Sequence, residues 1–278
     1  MIGDSMLIVA ALNGMRSRAE SPGVPYAADE IASEAKRAVD AGAGLVHVHA
    51  RKDDGSPAFD LIYDEIVGNI RMLVPDVPVS ITTQRPRQTS LGTVTALFDF
   101  LREPPDLASV NVSPPAADWP AHREEARQIL EALERAKVAP VATVLGLDNL
   151  GDIEVLYNDS LLTRMPFIVA ELGPSVSSGG SGRIPGTPHN VLRAIDACNA
   201  QLSRFPIVVA GQDDSNPVAV AVAAAAGVHV RVGFEDSALL PDGTPARSNA
   251  DLVEQAVKQA EVLGRTPMEP KEARALLR

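Results

Sequence analysis

Residues 31–50, IASEAKRAVDAGAGLVHVHA, predict a helix that leads directly into a strand. Apolar residues recur at helical spacing in the first half, and Gly42 stands where a helix C-cap is expected. The run Gly44–Ala50 is short and apolar, with β-branched valines at alternate positions, which is typical of a strand. The helical stripe consists of Ile31, Ala35, Ala38 and Val39. Such a helix-to-strand step is the repeating unit of a parallel α/β sheet.

The same alternation continues in both directions along the chain and gives eight strand–helix pairs. Asp60 is expected to cap the second helix, and Ser248 or Asn249 to start the last one. The predicted strands are Met6–Leu12, Gly44–Ala50, Val77–Thr83, Leu107–Val112, Ala139–Leu145, Met165–Leu172, Phe205–Ala210 and Val228–Gly233. Eight such units imply a closed sheet, so we predict a (β/α)8 TIM barrel that forms a single α/β domain over residues 1–278.

Composition and charge exclude several classes of protein. The 278-residue chain is 45% hydrophobic and 22% charged, which is ordinary for a globular protein and excludes wholesale disorder. A formal net charge of −11 argues against nucleic acid or a membrane surface as the main partner. A single cysteine, Cys198, fits a reducing compartment, and the N-terminus lacks a signal-peptide pattern. We therefore expect a cytoplasmic protein.

Two histidines, His47 and His49, lie near the end of the second predicted strand. Alternate residues of a strand share a face, and the intervening apolar residues belong against the helices. Both imidazoles are therefore expected inside the barrel, near its C-terminal mouth. A catalytic metal bound by two histidines usually takes a third protein ligand and keeps one position open. A pair of buried histidines satisfied by neighbouring hydrogen bonds is the alternative interpretation.

The end of the eighth predicted strand offers charged residues. Arg231 and Glu235 share the inner face if the strand continues, whereas Asp236 reaches the mouth only if the chain bends. An arginine in a barrel interior needs a counter-charge, which Asp236 or a substrate carboxylate can supply. A structural ion pair of Arg231 with Glu235 is the alternative.

Six segments in combination resemble the β-keto acid cleavage enzyme family. The two most specific are the His-x-His and Arg-x-Gly-x-Glu-Asp patterns within the second and eighth strand regions. The segments are LIVAALNGM (7–15), HVHAR (47–51), DDGSPAFD (53–60), PSVSSGGSGRIPGTPHNVL (174–192), GVHVRVGFEDSALLPDGTPARSNADLVEQAV (227–257) and PKEARALL (270–277). The resemblance covers nearly the whole chain.

This resemblance implies a Zn2+ ion, or another divalent metal, held by His47, His49 and Glu235, with Asp236 as a base and Arg231 as its partner. It also implies condensation of a β-keto acid with acetyl-CoA, which releases acetoacetate and a new acyl-CoA. A Lewis acid can bind the keto and carboxylate oxygens of such a substrate, and a carboxylate can remove its α-proton. A homo-oligomer, with a tetramer expected, is implied as well.

Substrate contacts are expected from Thr83 and Asn111, at the ends of the third and fourth strands; Asn111 can alternatively cap its loop. Arg85 and Arg87 can serve as anion ligands or as exposed surface residues. In a family member that handles an amine, an acid stands where this chain has Arg16. Arg16 is therefore expected to contact the substrate and to favour a neutral or acidic β-keto acid, such as a dicarboxylic one.

A second acid of the family is replaced by Thr143, which makes Glu171 a candidate for proton transfer. The Gly/Ser/Pro-rich loop 171–187 and the Pro-rich loop 113–120 follow strands and belong to the same face.

Two other classes of function remain open. One is a zinc hydrolase of the amidohydrolase type, which also uses His-x-His in a barrel, but on the first strand and with further histidines. His122, His189 and His229 lie at a helix start, in a loop and at the beginning of the eighth strand. The other class is a non-catalytic relative that binds a metal or an acyl-CoA. Transfer of CoA from acetyl-CoA to another acid would distinguish a β-keto acid cleavage enzyme from both of these classes.

Overall fold

Eight parallel strands close into a barrel, and each is followed by a helix. The computed structural model describes residues 4–86, 89–112, 119–174 and 183–277. Neighbouring strands pair in chain order, and the last strand pairs with the first, with Val9 opposite Arg231. The (β/α)8 TIM barrel predicted from the alternation is therefore confirmed.

The barrel strands are β1 (Ile8–Ala11), β2 (Leu45–Val48), β3 (Val79–Thr82), β4 (Leu107–Asn111), β5 (Ala139–Val144), β6 (Ile168–Leu172), β7 (Ile207–Gly211) and β8 (His229–Val232). The helices are α1 (Ala28–Asp40), α2 (Ile62–Leu73), α3 (Leu91–Phe100), α4 (Trp119–Ala136), α5 (Asn149–Asn158), α6 (Pro188–Leu202), α7 (Asn216–Ala225), α8 (Asn249–Val262) and α9 (Pro270–Ala275). A two-residue strand, Ser5–Met6, pairs in parallel with Thr266–Pro267.

Side chains alternate between the barrel interior and the helix layer. In β2, Leu45 belongs to the interior cluster, whereas Val46 and Val48 belong to the larger core between strands and helices. The interior cluster also contains Leu7, Val9, Leu107, Val141, Phe167, Val169 and Val208. Met268, Leu276 and Leu277, which flank or follow α9, pack against this cluster and close the N-terminal end of the barrel. The opposite end is left for polar side chains.

The predicted and observed elements differ mainly at their ends. Every predicted strand overlaps an observed one, but Val77 and Met165 lie outside the hydrogen-bonded ladder although both are buried. The predicted strands are longer because the prediction follows apolar residues, and these stay buried beyond the hydrogen-bonded ends of the strands. Asp60 accepts a hydrogen bond from the N–H of Ile62 at 3.0 Å, although the N-cap position of α2 is Leu61. Ser248 caps α8.

Within the described residues, no helix combines the length and apolar character needed to cross a bilayer.

Candidate functional site

The C-terminal ends of β2 and β8 bring together three residues that could hold a metal ion. The possible ligand atoms of His47, His49 and Glu235 all lie within 4.8 Å of one another. Active sites of TIM barrels are built at this end of the strands. The three ligands inferred from the sequence therefore form one cluster, although they come from opposite ends of the chain.

His47 and His49 lie on the inner face of β2 and its extension, with buried rings in an edge-to-face contact and centroids 5.2 Å apart. Nδ1 of His47 lies 3.0 Å from Oγ of Ser80 on β3. A proton on Nδ1, donated to that hydroxyl, leaves the Nε2 lone pair free for a metal. Burial lowers the pKa of His47 to about 3, so its imidazole is neutral and able to coordinate.

Glu235 presents an unsatisfied oxygen to both imidazoles. Its Oε2 lies 3.6 Å from Nε2 of His47 and 3.4 Å from Nε2 of His49. This oxygen is buried and has no hydrogen-bond partner among the described residues. Tetrahedral zinc with bonds of about 2.0–2.1 Å places neighbouring ligands about 3.3–3.5 Å apart. The spacing and the unsatisfied oxygen therefore fit one divalent ion at this cluster.

A buried ion pair lies beside the cluster. Arg231 donates from Nη2 to Oδ1 of Asp236 at 2.6 Å and from Nε to Oδ2 at 2.9 Å. The same Nη2 lies 3.4 Å from Oε1 of Glu235. Asp236 is thus the principal counter-ion of Arg231, and Glu235 is a second acidic neighbour. Glu235 points one oxygen at the arginine and the other at the histidines.

Burial and neighbouring charges shift the pKa values of the two acids in opposite directions. Burial alone would raise the pKa of Glu235, but Arg231 and the two histidines hold it well below its usual range. Burial raises the pKa of Asp236, and the charge of Glu235 adds to this rise against the opposing effect of Arg231. Asp236 therefore binds a proton more readily than an exposed aspartate does, which suits a general base.

A turn after β8 brings both consecutive acids to the mouth. Gly233 has φ +135°, and a Cβ added there would collide with the carbonyl of Ala11. The N–H groups of Asp236 and Ser237 both donate to the Gly233 carbonyl at 2.9 Å, which closes the turn. A side chain at position 233 is excluded by both conformation and space. The bend that Asp236 needs to reach the mouth is therefore present.

The residues predicted to contact substrate near β3 and β4 have different environments. Thr83 is buried, and its Oγ1 donates to the carbonyl of Ser109 at 2.7 Å. Asn111 ends β4 and is exposed, whereas its neighbour in the ladder, Thr143, is buried. Asn111 is therefore exposed at the mouth end of β4, whereas Thr83 already donates its hydroxyl hydrogen to the Ser109 carbonyl.

Among the candidate anion ligands, Arg85 pairs with Glu125 at 3.0 Å. Arg87 lies outside the described residues, as do positions 113–118 and 175–182 of the two long loops.

Arg16 lies next to the turn after β8. Its Nε donates to the carbonyl of Phe234 at 2.5 Å, and its Nη2 donates to Oδ1 of Asp213 at 2.7 Å. Nη2 is also 3.5 Å from the carbonyl oxygen of Asp236. Arg16 thus adjoins the Arg231–Asp236 pair, and Asp213 partly balances its charge.

Glu171, at the mouth end of β6, belongs to the same network of charges. Its Oε1 accepts a hydrogen bond from Gln212 at 2.9 Å and lies 2.7 Å from Nη2 of Arg183. Its Oε2 lies 3.6 Å from Nη2 of Arg231. Glu171 is therefore placed to influence Arg231 directly.

Three buried polar residues to which the sequence assigned no functional role support the site. Asn13 accepts a hydrogen bond from the N–H of His49 and donates to its carbonyl, both at 2.9 Å. Asn249 accepts from the N–H of Phe234 at 2.9 Å. Arg51 donates to the backbone of the loop after β1. A polar residue directly after an apolar strand was the available signal for Asn13 and Arg51.

Comparison with known proteins decides the family. The sequence signature of the family described as beta-keto acid cleavage enzyme matches residues 5–278. The chain belongs to the β-keto acid cleavage enzyme family. It is accordingly an enzyme of β-keto acid cleavage and acetyl-CoA transfer.

Relatives in the β-keto acid cleavage enzyme family match over their full length. A 3-keto-5-aminohexanoate cleavage enzyme from Acetoanaerobium sticklandii is 30% identical over 281 residues, which cover 99% of this chain and 98% of the relative. A 3-oxoadipate:acetyl-CoA acetyltransferase from Cupriavidus necator is 23% identical, covering 98% of this chain and 94% of the relative. The two relatives are named for different β-keto acids.

Solved structures agree with the fold of this β-keto acid cleavage enzyme. A complex of ObcA with oxaloacetate has a TM-score of 0.70 at 18% identity and covers 92% of this chain and 67% of that one. The 3-dehydroquinate dehydratase from Aquifex aeolicus has a TM-score of 0.54 at 13% identity and covers 92% and 98%. At these identities the likeness concerns the barrel alone.

Proposed function

We propose that this enzyme condenses a β-keto acid with acetyl-CoA and releases acetoacetate and a new acyl-CoA. One observation carries the proposal: the unsatisfied Oε2 of Glu235 faces the imidazoles of His47 and His49 beside the buried Arg231–Asp236 pair. A metal ligand set and a base are thereby adjacent at the mouth of the barrel. Carbon–carbon bond chemistry at an acidic α-carbon needs both functions.

His47, His49 and Glu235 would hold Zn2+ or a related divalent ion. Two imidazoles and a carboxylate form a donor set that catalytic zinc sites use while keeping a position open. When bound, such an ion acts as a Lewis acid toward the keto and carboxylate oxygens and stabilises negative charge on the substrate enolate.

Asp236 is proposed to remove the α-proton, with Arg231 as the residue that holds it. Two hydrogen bonds from Arg231 fix the plane of the Asp236 carboxylate. The pKa of this carboxylate, raised by burial, strengthens it as a base. Glu171, 3.6 Å from Arg231, supplies a further negative charge that keeps the guanidinium in place.

The net reaction balances without a covalent bond to the enzyme. A bond forms between the α-carbon of the β-keto acid and the thioester carbon of acetyl-CoA. The C–S bond of acetyl-CoA breaks and releases the CoA thiolate. This thiolate forms a new C–S bond to the keto carbon, and the original bond between that carbon and the α-carbon breaks. The proton taken by Asp236 returns to the α-carbon of acetoacetate. Cys198 takes no part, because it is buried and burial raises its pKa to about 12.

A neutral or acidic β-keto acid is the proposed substrate class. Arg16 adjoins Asp236 and disfavours a cationic substrate group there, even with Asp213 beside it. Asn111, at the end of β4, is proposed as a further substrate contact. Thr83, after β3, is proposed as a contact that accepts a hydrogen bond, because its hydroxyl hydrogen is donated to the Ser109 carbonyl. A homo-oligomer, with a tetramer as the expected size, is proposed from the family resemblance, and light scattering tests it.

An isotope experiment tests the reaction. The enzyme is incubated with acetyl-CoA carrying 13C in its acetyl group in two separate reactions. One contains 3-oxoadipate and the other contains 3-keto-5-aminohexanoate. The expected result is label in acetoacetate, an unlabelled new acyl-CoA and faster turnover of the anionic substrate. Hydrolysis without a new acyl-CoA would support the amidohydrolase class instead. Binding without turnover of any β-keto acid in a wider panel would support a non-catalytic relative.

A further inference from the structure

The mouth end of β1, defined here as residues Ala11–Gly14, contacts both strands that carry the proposed metal ligands. The N–H of Glu235 donates to the carbonyl of Ala11 at 3.1 Å, and the N–H of Leu12 donates to the carbonyl of His47 at 2.9 Å. The side chain of Asn13 reaches the backbone of His49. The β1 end is therefore a bridge between β2 and β8 at the level of the ligands.

Asn13 forms hydrogen bonds with both backbone polar groups of His49, its N–H and its carbonyl. Its Oδ1 accepts from the N–H of His49, and its Nδ2 donates to the carbonyl of His49 and, at 3.1 Å, to that of Pro25. Because two carbonyls face one end of the amide and an N–H faces the other, the orientation of the amide is fixed chemically. Asn13 has 0% exposure, so water cannot replace these bonds.

Gly14 leaves room for the third ligand. A Cβ added at Gly14 would collide with Cγ of Glu235 and lie 2.8 Å from its Cβ. Arg51 donates a hydrogen bond to the Gly14 carbonyl and holds the backbone against this side chain. The missing side chain at position 14 therefore determines where the Glu235 carboxylate can lie.

We propose that Asn13 is a positioning residue for the metal site and that the β1 end sets its affinity. This inference rests on the proposed ligand set of His47, His49 and Glu235. A ligand that is already oriented loses less conformational freedom when the ion binds, so fixing the backbone of His49 strengthens binding. Removing a residue that hydrogen-bonds to a metal ligand typically weakens metal binding by about 10–100-fold.

The test measures metal affinity of the full-length protein, by competition with a chromophoric chelator, for Zn2+ and Co2+. The variants are Asn13→Ala and Gly14→Ala, with His47→Ala as the check on the ligand set. Asn149→Ala is the matched control for Asn13→Ala. Asn149 is also buried at the mouth, and its Oδ1 accepts from the N–H of Leu145 at 2.9 Å, but it lies after β5.

Gly264→Ala is the matched control for Gly14→Ala, because Gly264 has φ +69° and nothing within 4 Å of an added Cβ among the described residues, while Gly14 has φ +52°. Thermal unfolding of the metal-free proteins accompanies every measurement. Should Asn13→Ala fail to fold, Asn13→Ser is measured in its place, because Gly14→Ala does not remove the hydrogen bonds between Asn13 and His49.

The expected result is a dissociation constant raised about 10–100-fold in Asn13→Ala and Gly14→Ala, with a changed Co2+ absorption spectrum. Both control variants should bind like the wild type. Wild-type affinity in Asn13→Ala overturns the role of Asn13, and wild-type affinity in Gly14→Ala overturns that of Gly14. Either result leaves the ligand set standing. Equal weakening in Asn149→Ala also overturns the role of Asn13. Absence of metal binding by the wild type, or unchanged binding by His47→Ala, overturns the ligand set and the inference with it.

Discussion

Arg231 and Asp236 form a two-point hydrogen-bonded ion pair inside the barrel, with Nη2–Oδ1 and Nε–Oδ2 distances of 2.6 and 2.9 Å. Their exposures are 5% and 0%. A pair that is hydrogen-bonded in two places and shielded from water holds its geometry tightly. Because Asp236 adjoins the proposed ligand Glu235, the pair connects the proposed base to the proposed metal ligands.

Replacing Asp236 with asparagine should remove the proposed base and keep the shape of the side chain. We expect turnover to fall by about 10²–10⁴-fold, because general-base catalysis contributes on that scale. Metal content should stay at the wild-type level. Proton NMR of the β-keto acid in D2O, without acetyl-CoA, should show loss of enzyme-dependent exchange at the α-carbon. Exchange at the wild-type rate would show that another group is the base.

Removing Arg231 should destabilise the fold through its unpaired acids. We expect Arg231→Met to lower the free energy of unfolding by about 3–5 kcal/mol, because Asp236 is left buried without a cation. Adding Asp236→Asn should recover part of this loss, since one buried charge is removed. Urea unfolding of the single and double variants measures both effects. A double variant less stable than Arg231→Met would contradict the explanation.

The proposed ligand set should control metal content. We expect about one equivalent of divalent metal per wild-type chain after reconstitution and a large loss in His49→Ala and Glu235→Gln. Chelation should abolish turnover, and added Zn2+ should restore it. Elemental analysis of the purified proteins provides the measurement. His189→Ala serves as the control, because His189 is exposed at the start of α6 and should leave metal content unchanged.

The turn after β8 should tolerate no side chain at Gly233. We expect Gly233→Ala to lower the free energy of unfolding by about 3 kcal/mol or more, because its φ of +135° and the carbonyl of Ala11 both oppose a Cβ. Gly243→Ala is the control, with φ +83° and open space, and should cost about 1–2 kcal/mol. Equal losses in chemical denaturation would show that backbone conformation alone matters at both positions.

His229 should make the fold less stable in mild acid. Burial, followed by the charge of Arg265, lowers its pKa to about 4 from 6.5, and its Nδ1 accepts a hydrogen bond from the N–H of Leu7 at 3.1 Å. The unfolded chain therefore takes up a proton below pH 6.5 that the folded chain refuses until about pH 4. Stability from this residue is complete above pH 6.5 and declines as the pH falls toward 4.

The matching variant for this prediction is His229→Asn, which keeps an acceptor for Leu7 and does not titrate. Between pH 7 and pH 5 the wild type should lose about 2 kcal/mol more unfolding free energy than the variant. Urea unfolding across this range gives the difference. If the unfolding free energies of the two proteins fell equally between pH 7 and pH 5, His229 would be excluded as a source of acid sensitivity.

Local sequence patterns determined much of the fold. Helical spacing in residues such as Ile31 and Ala35, and alternation in Gly44–Ala50, identify helices and strands because these periods involve neighbours in the chain. Alternation also placed His47 and His49 on one inner face, since side-chain direction within a strand follows from position alone. The resemblance of whole segments indicated the family.

Only the tertiary structure decided how the parts of the site meet. Closure of the barrel brings the end of β8 beside β1 and places Glu235 against histidines far away in the sequence. The choice of Asp236 as the main partner of Arg231 depends on the turn at Gly233. The roles of Asn13 and Gly14 depend on contacts across strands. Local periodicity fixes which way a side chain points, but distances between strands are set by register and closure, which no single segment encodes.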